Sequence, residues 1–341
     1  MRNDTRELYS RFVERIQELN GISDATVKFS VDPTVQQTLE TKTQESSAFL
    51  NSINVIGVTE MEGEKVGLGV SGPSASRTDT SKRERETRDI ATLDSQRYRA
   101  EKTNYDTHIT YQRLDAWAKF PDFQARLRDA IIRRAALDRI MIGWNGVRAA
   151  ADTDLAANPL LQDVNIGWLQ QYRNNAKERV FSGVKIGKGE QFKNLDAVVT
   201  LANNELLEPW YVEDPNLVVI CGRELLQDKY FPVVNKDQPP TEALAADVIT
   251  AQKRIGNLPA VRVPYFPPRA LMITRLDNLS LYWQIGARRR ALIDNPKRDR
   301  IENFESSNDA YVIEEFGAGC VVEDIRFVDT DPAPDAPAGG A

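Results

Sequence analysis

The 341-residue chain has only two cysteines and one histidine. Cys221 and Cys320 lie far apart and neither belongs to a CxxC pair, so a disulfide framework or structural zinc site has too few ligands. Both thiols are expected to be buried as small apolar groups in a chain that folds in a reducing cytosol. With His108 alone, a catalytic triad or a two-histidine metal site would have to run through one residue. No run approaches the roughly 20 apolar residues of a membrane helix, so no membrane partner is expected. The opening MRNDTRELYSRF lacks the apolar stretch of a secretory signal. Basic surplus is missing too. Lys and Arg total 44 against 50 Asp and Glu, a net charge of −6, which argues against a dedicated nucleic-acid binder but leaves room for a small basic patch.

What is present suits a folded protein. Apolar residues make up 41 % and charged residues 28 %, and the length predicts about two domains. Residues 5–19 read as an amphipathic helix with Leu8, Phe12, Val13, Ile16 and Leu19 on one side and a stop at Asn20-Gly21. Residues 30–48 are Gln/Thr/Ser-rich and read as an extended arm. From Ile53 the period becomes two through NVIGV, with a turn at Glu62-Gly63 and alternation at Val66, Leu68 and Val70. Residues 73–102 are charged and nearly free of apolar groups, then Tyr105, Thr107, Ile109 and Tyr111 alternate with Asp106, His108, Thr110 and Gln112. Two β runs flanking a polar excursion predict a protruding hairpin.

Residues 121–145 carry the strongest helix signal, with Phe123, Leu127, Ala130, Ile131, Leu137, Met141 and Trp144 expected on one face. The second half alternates: helices at 195–207, 223–230 and 242–254, strands at 217–220, 260–263, 270–274 and 279–285, and β-like composition at 309–328. The fold class is α+β. The terminal DTDPAPDAPAGGA reads as a flexible tail.

Two glycine patterns look chemical. Gly67, Gly69 and Gly72 match GxGxxG, but Pro73 and a Ser/Thr/Arg run follow where a dinucleotide site needs an apolar helix. Gly183, Gly187, Lys188 and Gly189 miss the P-loop spacing and read as a turn. Acid pairs such as Glu213/Asp214 and Glu314/Glu315 mark no pocket, so no catalytic, cofactor or metal residue is assigned. Arg288, Arg289, Arg290, Lys297 and Arg298 form the densest basic patch. It reads either as a solvated or intersubunit face or as a contact for a phosphate backbone. An arm, a hairpin and a detached helix lose conformational entropy unless neighbouring copies bury them, which points to an assembly subunit.

Several long strings also resemble a known family: QESSAFLNSINV (44–55), DFQARLRDAIIRRAALDRIMIGWNGVRAA (122–150), NPLLQDVNIGWLQQYRN (158–174), LLEPWYVEDPNLVVICGRELLQDKYFPVVNK (206–236) and LAADVITAQKRIGNLPAVRVPYFP (244–267). They are similar to the major capsid proteins of P-two-like (Peduovirus-type) contractile-tailed phages, from the N-terminus to about residue 327. The resemblance implies a Hong Kong ninety-seven-type capsid fold. Its parts would be an N-terminal arm at 1–50, an E-loop hairpin at 53–115, a P-domain at 119–190 with spine helix 121–145, an A-domain at 191–295, strands returning to the P-domain at 296–328, and a tail at 329–341. It implies hexamers and pentamers in an icosahedral shell around double-stranded DNA held without sequence specificity. It also implies a virion location after assembly in the host cytoplasm, with a scaffolding protein, a maturation protease and a portal protein as partners.

Trimming would make sense of the N-terminal helix, about 1–29, as a removable segment. Its face Leu8, Phe12, Ile16 and Leu19 is the candidate scaffold-binding surface, and Phe29–Ser30 is the candidate cut. The rivals are a phage head or tail ring protein and, resting on Gly67–Gly72 alone, a nucleotide-binding α/β enzyme.

Overall fold

The computed structural model describes residues 1–65, 75–87, 97–120, 122–226 and 254–328. The Gly67–Gly72 pattern, all but the last residue of the helix read at 242–254, the end of the one at 223–230 and the tail at 329–341 lie outside these residues; Arg254 itself is in a strand.

Helix α1 (Asn3–Asn20) carries the expected N-terminal stripe. It stops at Gly21, whose φ of +62° suits a residue without a side chain, and the Ile22 N–H returns to the Gln17 carbonyl at 3.0 Å. A short strand, β1 (Phe29–Ser30), leads into α2 (Pro33–Glu45) and α3 (Ala48–Ser52). The stretch at 30–48 is therefore helical and packed, not the extended arm expected. Asp32 caps α2 by accepting from the Thr34 N–H at 2.8 Å, and Pro33 suits the first turn. The buried face of α2 is Gln36, Glu40 and Thr43, correctly spaced for a helix but polar.

Strands β2 (Asn54–Val58), β3 (Glu62–Glu64) and β4 (Arg97–Arg99) follow, and β3 and β4 pair antiparallel with Gly63 opposite Tyr98. That pair is the root of the expected hairpin. Next come β5 (Glu101–Asn104) and β6 (Thr107–Thr110). The alternation expected through Gln112 ends early, because α4 (Tyr111–Trp117) starts at Tyr111. His108 is exposed.

Helix α5 (Phe123–Asn145) is the long spine, about 34 Å at 1.5 Å per residue. Its first half has a buried edge at Leu127 and Ile132, while Ala130, expected on the apolar face, is exposed. From Arg139 to Trp144 every residue is buried, because other elements surround this half. One is α6 (Trp168–Asn175), which crosses so closely that a Cβ on Gly143 would collide with the Trp168 ring. The Trp144 and Trp168 ring centroids lie 4.9 Å apart, and the Trp168 indole donates to the Ser280 carbonyl at 2.9 Å.

Beyond α6 run β7 (Val180–Ser182), β8 (Lys185–Ile186), α7 (Leu195–Leu206) and β9 (Leu217–Cys221). Then come β10 (Arg254–Ile255), β11 (Leu258–Val261), β12 (Leu271–Arg275) and β13 (Leu279–Gln284). The chain continues through β14 (Arg289–Asn295), β15 (Arg300–Ile313), β16 (Gly319–Glu323) and β17 (Arg326–Phe327). Among the described residues one sheet is ordered β10-β11-β9-β12-β16-β7, and α7 packs on it with Val198, Val199 and Ala202. The other is built on β15, which pairs along one edge with β14 then β13 and along the other with β6 then β5. Strand β1 extends it beside β14, and β2 lies parallel to β13. Strand β8 pairs with β17.

This layout moves the expected boundaries. Strands β13 and β14 fall within 191–295 yet pair with β15, since Leu279 and Leu281 bury against the Trp144–Trp168 core rather than on α7. Strand β16, expected among the strands returning to the P-domain, joins β12 instead, and β7 joins β16. Both cysteines are buried, Cys221 on β9 and Cys320 on β16.

Candidate functional site

Strand β15 should turn apolar residues inward, yet its middle turns in Asn303, Glu305, Ser307 and Asp309, all buried. Period two puts them on one face, which the alternation of polar and apolar residues alone does not reveal. Opposite them stand Arg139 from α5, Arg288 just ahead of β14, and Glu40 from α2. The Asp309 carboxylate takes Arg139 Nε and Nη2 at 3.0 Å each, the Tyr105 hydroxyl at 2.8 Å and the Ser307 hydroxyl at 2.7 Å. Glu40 accepts from Arg139 Nη1 and Nη2 and from Arg288 Nη1, the last at 2.6 Å. Arg288 Nε donates to Glu305 at 2.6 Å, and Arg290 Nε donates to Asn303 at 2.7 Å.

Charges out of water are tolerated only when paired and hydrogen-bonded, and here the arginines and acids interleave. Burial alone would raise the Glu305 carboxyl, but Arg288, Arg290 and the hydrogen bonds from Arg288 and Asn303 outweigh it and bring it to about 2. Burial works against the Arg139 cation, but Asp309 and Glu40 hold its pKa well above the usual arginine value. Burial, then Asp309, pushes the Tyr105 hydroxyl well up, so it stays a donor. The cluster joins four separate elements. It is chemistry for clamping, with no nucleophile beside a base and, among the described residues, no group of acids, histidines or cysteines that could hold a metal.

The residues singled out from the sequence are redistributed. Arg288 is not a surface cation, because Glu40 and Glu305 enclose it. Arg289 donates to the Ser30 hydroxyl at 2.8 Å and to the Gly286 carbonyl at 2.6 Å, and Arg290 is half-buried. Only Lys297 and Arg298 of that patch are exposed, on a single 3-10 turn, so the five do not form one basic face. Phe12 and Ile16 are not an outward scaffold surface, since they bury in the subunit's own apolar cluster with Leu127, Leu292 and Ile301. Leu8 is half-buried, and Leu19 keeps 45 % exposure. Phe29 is buried and, with Ser30, pairs with Arg290 and Arg289 of β14. Just before it, Thr26, Val27 and Lys28 are exposed, Val27 by 64 %.

Residues 8–325 match the sequence pattern of the family described as phage major capsid protein, P2 family. The chain belongs to that family. It is 52 % identical to the capsid protein of Escherichia phage P2, over 96 % of both chains. It is 40 % identical to the major capsid protein of Serratia phage KSP20, over 96 % of this chain and 98 % of that one. In three dimensions it matches a chain of the satellite phage P4 procapsid that includes the size determination (Sid) protein. The TM-score there is 0.81 at 49 % identity, covering 96 % of this chain and 99 % of the other. The fold is the Hong Kong ninety-seven-type capsid fold, and this family member is a structural protein of the phage capsid. The ionic cluster ties its α2 to its α5.

Proposed function

We propose that this major capsid protein builds hexamers and pentamers that close into an icosahedral shell around double-stranded DNA, with no catalytic activity of its own. The observation that carries this reading is the likeness to a procapsid chain over 96 % of this chain and 99 % of the other. The β3–β4 pair supports an E-loop that reaches across a neighbouring subunit. Burial at roughly 25 cal/mol per Å² over many such contacts would hold the shell together. DNA is held without sequence specificity, which suits a chain of net charge −6. Assembly takes place in the host cytoplasm with a scaffolding protein, a portal protein and a maturation protease.

The protease removes α1. The exposed residues Thr26, Val27 and Lys28 lead to the Phe29–Ser30 bond, and a cut there leaves α2 and Glu40 on the body of the subunit. Intact mass of protein from mature particles tests the cut, and a mass that still includes residues 1–20 refutes it. Negative-stain microscopy of the chain co-expressed with its scaffolding protein tests the rest. Closed shells are expected; rings would mean a head-completion or tail role instead, and the absence of any assembly would refute the proposal outright.

A further inference from the structure

Strand β2 stands at a sheet edge but has the sequence of an interior strand. It pairs on one side with β13, and among the described residues no strand pairs with its other side. An open row of backbone N–H and C=O groups is a template for a second chain, so edges are normally blunted by charge, proline or shortness. The opposite edge of this sheet follows that rule: β5 carries Glu101 and Lys102, and β6 carries His108. Strand β2, NVIGV, has neither charge nor proline.

It is also apolar on both faces. Val55 packs toward the Trp144–Trp168 core, while Ile56 and Val58 pack with Tyr98 and Tyr282 on the other face. A run of this kind suits a strand inside a covered sheet, paired on both sides. Yet Asn54, Val55, Ile56 and Gly57 are only half-buried. Just past the end of β2, Met61 and Ile285 are exposed apolar side chains, and the Ile285 N–H donates to the Val58 carbonyl at 2.8 Å.

The chain holds one edge that matches it. At five residues β2 is the longest edge strand among the described residues; the charged β5 and β6 have four each, and the other edges two or three. Set against a copy of itself, β2 meets no like charge and offers as many open donors and acceptors as it needs. A phosphate backbone would find no cation on it. We infer that β2 pairs antiparallel with the β2 of a second copy about a two-fold axis, Ile56 opposite Ile56, so that two seven-stranded sheets join into one. The inference rests on the proposed icosahedral shell, whose symmetry contains two-fold axes, and names one joint within it. Opposed residues in such a pair have Cα atoms about 4.5–5.5 Å apart, a span that a disulfide bridges.

The test introduces Ile56→Cys into the full chain co-expressed with its scaffolding protein and oxidises the particles formed. Cys221 and Cys320 are at most 2 % exposed and stay unreactive, and Val147→Cys, at an exposed residue outside β2, is the control. Ile56→Lys and Ile56→Glu, checked for an unchanged urea midpoint, probe the same contact by charge. The expected result is covalent dimers from most Ile56→Cys chains and from few Val147→Cys chains. Each charged variant alone should yield at least tenfold fewer particles, and co-expression of the two should restore them, because lysine then faces glutamate. Particles in which Ile56→Cys stays monomeric would overturn the inference, as would wild-type yield from both charged variants alone or no rescue by the folded pair. Should the charged variants unfold, the Ile56→Cys result decides alone. Failure of the unmodified chain to form closed particles would instead remove the proposed shell, and this joint with it.

Discussion

Glu40 of α2 and Arg139 of α5 stand 99 positions apart in the chain and meet as a buried ion pair, neither side chain more than 3 % exposed. Two helices are thereby fixed to each other without relying on apolar contact at that point. Gln36, one turn earlier, adds neutral ties, donating to the Gln284 carbonyl at 3.0 Å and accepting from the Gly286 N–H at 2.8 Å. The arm is held in one register because only one places both side chains on their partners.

Removing the carboxylate should therefore be severe. Glu40→Ala leaves Arg139 and Arg288 sharing one acid fewer, and loss of one partner from a buried ion pair costs about 3–5 kcal/mol. Glu7→Ala deletes an exposed pair with Arg11, 67 % and 63 % accessible, and should change stability by less than about 1 kcal/mol. Urea unfolding of the unassembled chain measures both. Equal effects would mean that burial of the cluster contributes nothing.

Acid should loosen the same cluster. The Glu305 carboxyl has a folded pKa of about 2 against an ordinary 4.5, so its contribution is fully present above pH 4.5 and is lost as pH falls toward 2. At 1.36 kcal/mol per unit the contribution is about 3 kcal/mol. Unfolding free energy measured from pH 6 down to pH 2.5 should fall more steeply for the native chain than for Glu305→Gln. Parallel curves would show that Glu305 is not the group responsible.

Much of this fold was legible in advance, for a physical reason that also explains the gaps. Leu8, Phe12 and Ile16 on α1 and Leu195, Val198 and Val199 on α7 announce their helices because their buried faces are apolar. Helix α2 escaped notice because Gln36, Glu40 and Thr43 do the packing, although Asp32-Pro33 is a helix-start signal. Inward residues on β15 escaped likewise, because Asn303, Glu305, Ser307 and Asp309 mimic a solvent face. Arg139 left one trace, a charge directly ahead of the apolar run IMIGW at the end of the spine helix. Its partners come from α2 and β15, and no spacing in the chain reveals that they converge.

The helix crossing at Gly143 gives a prediction of another kind. A methyl group there meets the Trp168 ring, which is fully buried and held by its bond to Ser280, so it cannot swing aside. Overpacking of this sort costs about 1–3 kcal/mol. Gly183 has a φ of +75° and open space around a Cβ, so Gly183→Ala should lose about 1 kcal/mol through backbone strain alone. Near-UV circular dichroism separates the two cases. Gly143→Ala should change the tryptophan signal, and Gly183→Ala should leave it intact.

Truncation should divide the arm at β1. A chain lacking residues 1–28 loses Tyr9, Phe12 and Ile16, which uncovers Leu127, Leu292 and Ile301, but it keeps every member of the ionic cluster. It should remain folded and bind a hydrophobic dye more strongly. A chain lacking residues 1–46 also loses Gln36 and Glu40 and leaves Arg139 and Arg288 under-compensated, and it should lose cooperative unfolding or precipitate. If both truncations melt alike, α2 is as dispensable as α1 and the cluster does not hold the arm.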